Sequence, residues 1–247
     1  MKIEIAANSL TSALAAYEAG ADRIELCANL ELGGTTPGPG TLIATRKQLK
    51  IPIHALIRPR GGDFVYSDTE MEEIVQSIEF CRQLGIEGIV IGCLTPAGKV
   101  DVSKTQRILE HTAGMDLTFH RAFDLVTDQE EALETIIELG FHRILTSGGK
   151  NSTPEGAKQI ARLIEKAGNR ITIMPGGGIN NNNIADIAEF TGAAEFHHSC
   201  KTVVKSPMEY RPRHLELINM QDIHAYDYMV SHEDKIRDLV RKIRAKS

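Results

Sequence analysis

The run Gly20-Ala21-Asp22-Arg23-Ile24-Glu25-Leu26-Cys27 alternates polar and apolar residues with a period of two. That is the pattern of a β-strand with two different faces. Ile24 and Leu26 take the face that a helix layer covers, because that layer needs large apolar groups. Arg23, Glu25 and Cys27 then point the other way, toward an interior. Such a strand is one unit of a series. Further short β-rich runs lie at 2–6, 53–57, 88–91, 117–120, 143–146, 171–174 and 195–198. Amphipathic stretches near 9–19, 39–49, 69–83, 101–112, 128–139, 154–167 and 181–190 separate them, and a final helix is expected at about 232–245.

Local signals set the boundaries. Ser9 is an N-cap candidate for the first helix and Gly20 its stop. Ser67 or Asp68 precedes a first turn rich in glutamate, which suits the positive end of the helix dipole. Gly85, Gly140 and Gly168 stand where helices end, and Pro154 stands near a helix start. Eight βα units without a linker predict an α/β fold, a closed parallel TIM barrel of one domain spanning 1–247. A doubly wound sheet is the competing reading. Its dinucleotide loop is missing, because Ala6-Ala7-Asn8-Ser9 follows the first strand where GxGxxG belongs. The irregular part is 201–231, too long for a simple turn, and reads either as a packed surface excursion or as a lid or subunit contact.

Composition narrows the function classes. The chain has 247 residues, 42% apolar and 25% charged, with a formal net charge of −5. That balance argues against a general nucleic-acid binder, and the basic run from Arg237 to Lys246 reads as a solvated helix face. No run of about 20 apolar residues exists to cross a bilayer, and the chain enters a strand at once, so no leader is expected. Cys27, Cys81, Cys93 and Cys200 form no CxxC pair and read as reduced thiols in the cytoplasm.

Parity places Glu4, Ala6 and Asn8 together on the first strand, His54 with Arg58 on the third, and Thr118 with His120 on the fifth. An interior of carboxylates, arginines and imidazoles is unusual, since barrels mostly fill it with Val, Ile and Leu. Two readings stand: a structural network of Arg23 with Glu4 or Glu25 in the lower layer, and a ligand site at the strand C-termini. Glu25, Arg58 and His120 belong to those ends and are the acid–base candidates.

The loops at the same end suggest an anion. Arg58 and Arg60 stand beside the flexible pair Gly61-Gly62, although a loop arginine paired with Asp63 explains the same residues. Ser147-Gly148-Gly149 and Gly176-Gly177-Gly178 let backbone amides approach an anion closely, the alternative being tight turns. The eighth strand offers His197 and His198, of which one faces the lumen. No HExxH supports zinc, no lysine within strands five to eight supports an imine, and no GxSxG supports a serine hydrolase. A barrel enzyme on a small anionic or phosphorylated metabolite is one functional reading.

Five blocks carry a second reading. They are the run 20–27 quoted above, Ile57-Arg58-Pro59-Arg60-Gly61-Gly62-Asp63-Phe64, Thr118-Phe119-His120-Arg121-Ala122-Phe123-Asp124, Leu145-Thr146-Ser147-Gly148-Gly149 and Met174-Pro175-Gly176-Gly177-Gly178. Together, from residue 2 to about 200, the chain resembles the CutC family, named for copper homeostasis. The resemblance implies a TIM barrel, a cytoplasmic location, self-association into a homo-oligomer and copper as the bound ion. Many members have a first-strand cysteine in the pattern Glu-Val-Cys-Val-Asp-Ser, where this chain has Glu4-Ile5-Ala6-Ala7-Asn8-Ser9. A Cu(I) site would then rest on Cys27, with Cys200 or Met174 completing a soft ligand set.

Overall fold

The computed structural model describes residues 1–212 and 224–245. Eight parallel strands form one sheet: β1 Lys2–Ala7, β2 Arg23–Leu26, β3 Ile53–Leu56, β4 Gly88–Ile91, β5 Asp116–Phe119, β6 Arg143–Thr146, β7 Thr172–Pro175 and β8 Glu195–His198. Their order is β7-β6-β5-β4-β3-β2-β1-β8, and a parallel bridge between Gly176 and His197 joins the two ends. The sheet is therefore a barrel, and the doubly wound alternative falls. Around it lie α1 Leu10–Glu18, α2 Pro39–Gln48, α3 Asp68–Gln83, α4 Val102–Leu109, α5 Gln129–Glu138, α6 Thr153–Ala167 and α7 Ile184–Thr191, with α8 Glu233–Arg244 at the end.

The helices start where the sequence offers caps. Ser9 accepts the amide of Ser12, and Ser67 forms a reciprocal capping box with Glu70. Ile3, Ile5, Ile24, Leu26, Ile89 and Ile144 pack outward into one apolar cluster with the helices. This layer between sheet and helices holds the fold together, at roughly 25 cal/mol per Å² of apolar surface removed from water.

The lower barrel interior is polar. Arg23 Nε donates to Glu4 Oε2 at 2.5 Å and Arg23 Nη2 to Glu195 Oε2 at 2.8 Å. Arg143 Nε also donates to Glu195 Oε2, at 2.9 Å, and its Nη2 to Asp116 Oδ2 at 3.2 Å. The network expected of Arg23 thus exists, with Glu4 and Glu195 as its carboxylates. His54 completes the layer because Gly88 faces it: a Cβ on Gly88 would come within 2.6 Å of the imidazole.

Two regions depart from the sequence reading. Within 201–231 an antiparallel ribbon forms, β9 Lys201–Val204 against β10 Tyr228–Ser231. It is tied to the barrel by Ser231 Oγ donating to the Ala6 carbonyl and by Asn8 Nδ2 donating to the Met229 carbonyl. Asn8 is therefore spent on the ribbon rather than facing the interior. Residues 213–223 of that excursion, and Lys246 of the basic run, lie outside the described residues. Among the described residues no helix is long and apolar enough to cross a membrane.

Candidate functional site

At the C-terminal end of the barrel a cavity of about 220 Å³ opens, walled by residues from every strand or following loop except those of β4. Glu25 from β2, Arg58 after β3, His120 after β5 and His197 from β8 share it. Arg121, Lys201, Gly177 and Gly178 complete the cationic side.

Each acid–base group has a distinct environment. Glu25 is 6% exposed, and its Oε2 is buried with no hydrogen-bond partner among the described residues. Burial pushes its carboxyl up to about 7, and the neighbouring Glu4 adds to the rise against the pull of His197 and Arg23. His197 Nδ1 lies 2.7 Å from Glu4 Oε1. Burial opposes its protonation, but the carboxylates of Glu25 and Glu4 outweigh that and raise it.

His120 is the opposite case. Burial lowers it to about 3, and the Arg58 cation pushes the same way. Its Nδ1 accepts the amide of Ala122 at 3.2 Å, and its Nε2 is buried without a partner among the described residues. The ring fits because residue 92 is glycine: a Cβ there would stand 2.8 Å from His120 Nδ1. Phe64 lies against the other side, 4.6 Å between ring centroids.

Arg58 is held by carbonyls. Its Nη1 donates to Leu32 and Gly34, each at 2.9 Å, and its Nη2 to Gly62 at 2.7 Å. Its Nε is buried and unpartnered among the described residues, and the guanidinium lies 4.8 Å from the Phe64 ring centre. Arg60 is elsewhere. It donates to Glu70 at 2.5 Å and to Asp63 at 3.2 Å, and it sits over Tyr66 outside the cavity wall. The anion expected at Arg60 is replaced by two side-chain carboxylates of the protein itself.

The loop after β6 is corrected in the same way. Asp124 Oδ1 accepts from Thr146 Oγ1 at 2.5 Å and from the Ser147 and Gly149 amides at 3.0 Å each. The Gly148 amide is taken by Thr146 Oγ1 at 2.8 Å. Ser147, Gly148 and Gly149 do form an anion-binding turn, but its anion is Asp124. That carboxylate also receives Arg121 Nε at 2.7 Å, and Ser147 Oγ receives Arg121 Nη2 at 2.7 Å. The turn therefore aims Arg121 at the cavity. Gly176 is a ladder residue, its amide donating to the Thr146 carbonyl. Gly177 and Gly178 remain on the cavity wall, and Gly177 lets Arg121 approach, since a Cβ there would come 3.1 Å from Nη1.

The thiols lie off the cavity. Cys27 is 1% exposed in a small apolar cluster with Leu56 and Val90, its Sγ 3.7 Å from the Ala7 carbonyl, and burial raises it well above an ordinary thiol. Cys200 belongs to the main apolar cluster, 3.0 Å from His198 Nδ1, with burial pushing it to about 12. Met174 Sδ accepts from Arg23 Nη2 at 3.4 Å. The soft-ligand set expected from Cys27 with Cys200 or Met174 is thus divided among separate environments.

Among the described residues, Glu4, Glu25 and His197 are grouped closely enough to hold a metal, their ligand atoms all within 4.8 Å. An O,O,N set suits a hard or borderline divalent ion rather than Cu(I). Both oxygens of Glu4 are already engaged, however, one by Arg23 and one by His197.

His197 and Arg121 are the residues that sequence reasoning undervalued. Parity on β8 turns His197 to the interior, where it pairs with Glu4 across β1 and β8, while His198 also reaches the cavity wall.

Comparison with known proteins gives a consistent family. The CutC family model matches residues 1–202. A CutC family protein of Chromobacterium violaceum is 50% identical over 209 residues, covering 85% of each chain. One from Bacteroides fragilis is 43% identical over 241 residues, covering 97% of this chain and 96% of the relative. The crystal structure of CutC from Streptococcus agalactiae, a protein with copper homeostasis as its suggested role, superposes with a TM-score of 0.78 at 36% identity, covering 81% of this chain and 98% of that one. Phosphoribosylanthranilate isomerase from Thermotoga maritima, with a TM-score of 0.58 at 14% identity and 99% of each chain covered, shares the barrel alone. The chain belongs to the CutC family.

Proposed function

We propose that the mouth of the barrel is the active site of an enzyme that moves protons on a small anionic metabolite. One observation carries this reading: Glu25, buried with an unpartnered oxygen, shares a single cavity with Arg58, His120 and His197. A carboxyl poised near neutrality is what general acid–base catalysis requires. Arg121, Lys201 and the Gly177-Gly178 turn supply the positive end for a phosphate or carboxylate. Four free cysteines fit a reducing cytoplasm as its location.

The test is incubation of the protein and its Glu25→Gln variant with a fractionated metabolite extract, read by mass spectrometry. A metabolite consumed by the wild type and spared by the variant is the expected result. The absence of any such metabolite, together with no binding of inorganic phosphate at millimolar concentration, would overturn the proposal.

Copper handling is the second reading, suggested by the role attached to the Streptococcus agalactiae relative and by Cys27 lying against Leu56, a wall of the cavity. The residues present do not fit a resident Cu(I) ion. The Cys27 thiol is protonated and turned to a carbonyl, and Cys200 and Met174 are engaged elsewhere. Titration of the reduced protein with Cu(I) against a chelating competitor separates the readings. Affinity tighter than micromolar that vanishes in Cys27→Ala would restore copper, and its absence is the result expected.

A further inference from the structure

We infer that the reaction at this site is proton abstraction from a carbon beside a carbonyl group, with His120 Nε2–H and Arg58 receiving the carbonyl oxygen and Glu25 acting as the base. The inference rests on the cavity being an active site and names its chemistry and substrate class.

The tautomer of His120 follows from its contacts. A ring nitrogen that accepts a backbone N–H carries no proton, so Nδ1 is bare and a neutral ring bears its hydrogen on Nε2. That Nε2 is buried and without a partner among the described residues, on a ring that walls the cavity. The groups facing it are Arg58, Phe64, Phe119 and Gly92, and among the described residues no carboxylate is in contact to draw a second proton onto the ring. The site therefore presents an uncharged imidazole as a hydrogen-bond donor. Beside it Arg58 has an unpartnered Nε, while three carbonyls fix the remaining guanidinium. Two prearranged donors on residues that wall one cavity suit an oxygen on which charge develops.

The base is built as deliberately. Glu4, oriented by Arg23, binds His197 Nδ1, which leaves the Nε2 edge of His197 on the cavity side near Glu25. Glu25 is thus a carboxyl whose Oε2 has no competing hydrogen bond among the described residues, next to an imidazole that favours its ionised form. A neutral donor paired with a separate carboxylate base is the division of labour that enolisation needs.

The step balances without a co-reactant. The Glu25 carboxylate takes the proton from the carbon next to the carbonyl. The C–H electron pair becomes the C=C bond of an enediolate, and the carbonyl π pair moves onto oxygen, held by His120 Nε2–H and Arg58. The hydroxyl on the deprotonated carbon passes its proton to the first oxygen. The C=C pair takes the proton back from Glu25 at the former carbonyl carbon, and the second oxygen becomes the carbonyl of an isomeric product. The substrate class is a small hydroxy-aldehyde or hydroxy-ketone bearing a phosphate or carboxylate, with the anion toward Arg121, Lys201 and Gly177-Gly178.

The experiment compares two phosphates that share a P–O–CH2–C unit by calorimetry in the presence of EDTA. Phosphoglycolohydroxamate copies a planar enediolate, and ethyl phosphate does not. Mimics of a transition state commonly bind at least about 100-fold tighter than substrate-like ligands. The hydroxamate is expected to bind at least tenfold tighter than ethyl phosphate, and that preference is expected to vanish in His120→Gln with ethyl phosphate affinity unchanged. Equal affinities would overturn the enolisation while leaving an anion site, whereas binding of neither would remove the active-site proposal as well. If His120→Gln fails to fold, the ¹⁵N shifts of His120 in the wild type decide: a bare Nδ1 and protonated Nε2 from pH 5 to 9 support the assignment, and an imidazolium in that range overturns it.

Discussion

His197 Nδ1 stands 2.7 Å from one oxygen of Glu4, and Arg23 Nε stands 2.5 Å from the other. One carboxylate, fully buried, joins the structural layer of the barrel to its reactive layer. Below it lie Glu195, Arg143 and Asp116; above it His197 looks toward Glu25.

Replacing Glu4 by glutamine is expected to destabilise the fold more than any single change at the cavity. The variant leaves Arg23 with one carboxylate instead of two, and removing one partner of a buried ion pair costs about 3–5 kcal/mol. Urea denaturation at pH 7 measures it. The loss should have its full size above the usual carboxylate range and shrink as pH falls below it, because the folded state holds Glu4 below its ordinary value: burial opposes ionisation, but Arg23 and His197 overcome it. A depressed carboxyl stabilises above its unfolded value and loses that contribution as pH falls through the folded one.

Glu25 has the opposite sign. With its folded value near 7 and an unfolded value of about 4.3, the folded protein binds more protons between these limits. Its contribution to stability is therefore favourable at low pH and is lost as pH rises from about 4.3 to about 7. Glu25→Gln cannot ionise, so relative to wild type it should gain stability across that window, by an amount on the order of 3–4 kcal/mol. Paired urea titrations at pH 4.5 and 7.5 test this. A variant with no pH-dependent gain would show that Glu25 is not a strained acid.

The barrel was legible because each strand repeats one physical demand, large apolar groups toward the helices, and parity alone then assigned Glu4, Arg23, Glu25, His54 and Thr118 to the interior. Glu25, Arg58 and His120 were legible as a group because all three stand at strand C-termini, which a barrel brings together. What failed was local motif reading. Ser147-Gly148-Gly149 has the backbone of an anion cradle, but Asp124, from the preceding βα unit, had already filled it. Arg60 beside a diglycine looks like a clamp until Glu70, ten residues on, takes its Nε. In both cases a carboxylate distant in sequence competed for the same donors. The ribbon of β9 and β10 was hidden for a similar reason, since its strands pair across more than twenty intervening residues.

Asp124 tests that correction. It satisfies two backbone amides, two hydroxyls and Arg121 at once. Asp124→Ala should cost about 3 kcal/mol or more through buried donors left unpaired. It should also weaken inorganic phosphate binding by releasing Arg121, as Arg121→Ala does directly. Arg60→Ala, by contrast, should leave phosphate affinity unchanged, because Arg60 lies outside the cavity. Calorimetric titration of the three variants checks the pattern, and a phosphate site lost in Arg60→Ala but kept in Arg121→Ala would reverse the assignment.

Gly92 gives a probe of His120 that leaves the imidazole itself in place. A methyl group at this position would meet His120 Nδ1 at 2.8 Å and Cε1 at 2.9 Å, closer than real carbon contacts allow. The ring cannot retreat freely, because Phe64 packs on it at 4.6 Å and the Ala122 amide is bonded to Nδ1. Gly92→Ala should therefore tilt the ring and cost about 1–3 kcal/mol of stability through overpacking. The consequence at the cavity is more specific: Nε2–H is displaced relative to Arg58, while Arg121 and Lys201 are untouched. Phosphate affinity should hold and any turnover traced to Glu25 should fall by tenfold or more, since catalytic groups must be placed within about 1 Å. Equal turnover in Gly92→Ala and wild type would mean that the position of His120 does not matter to the chemistry.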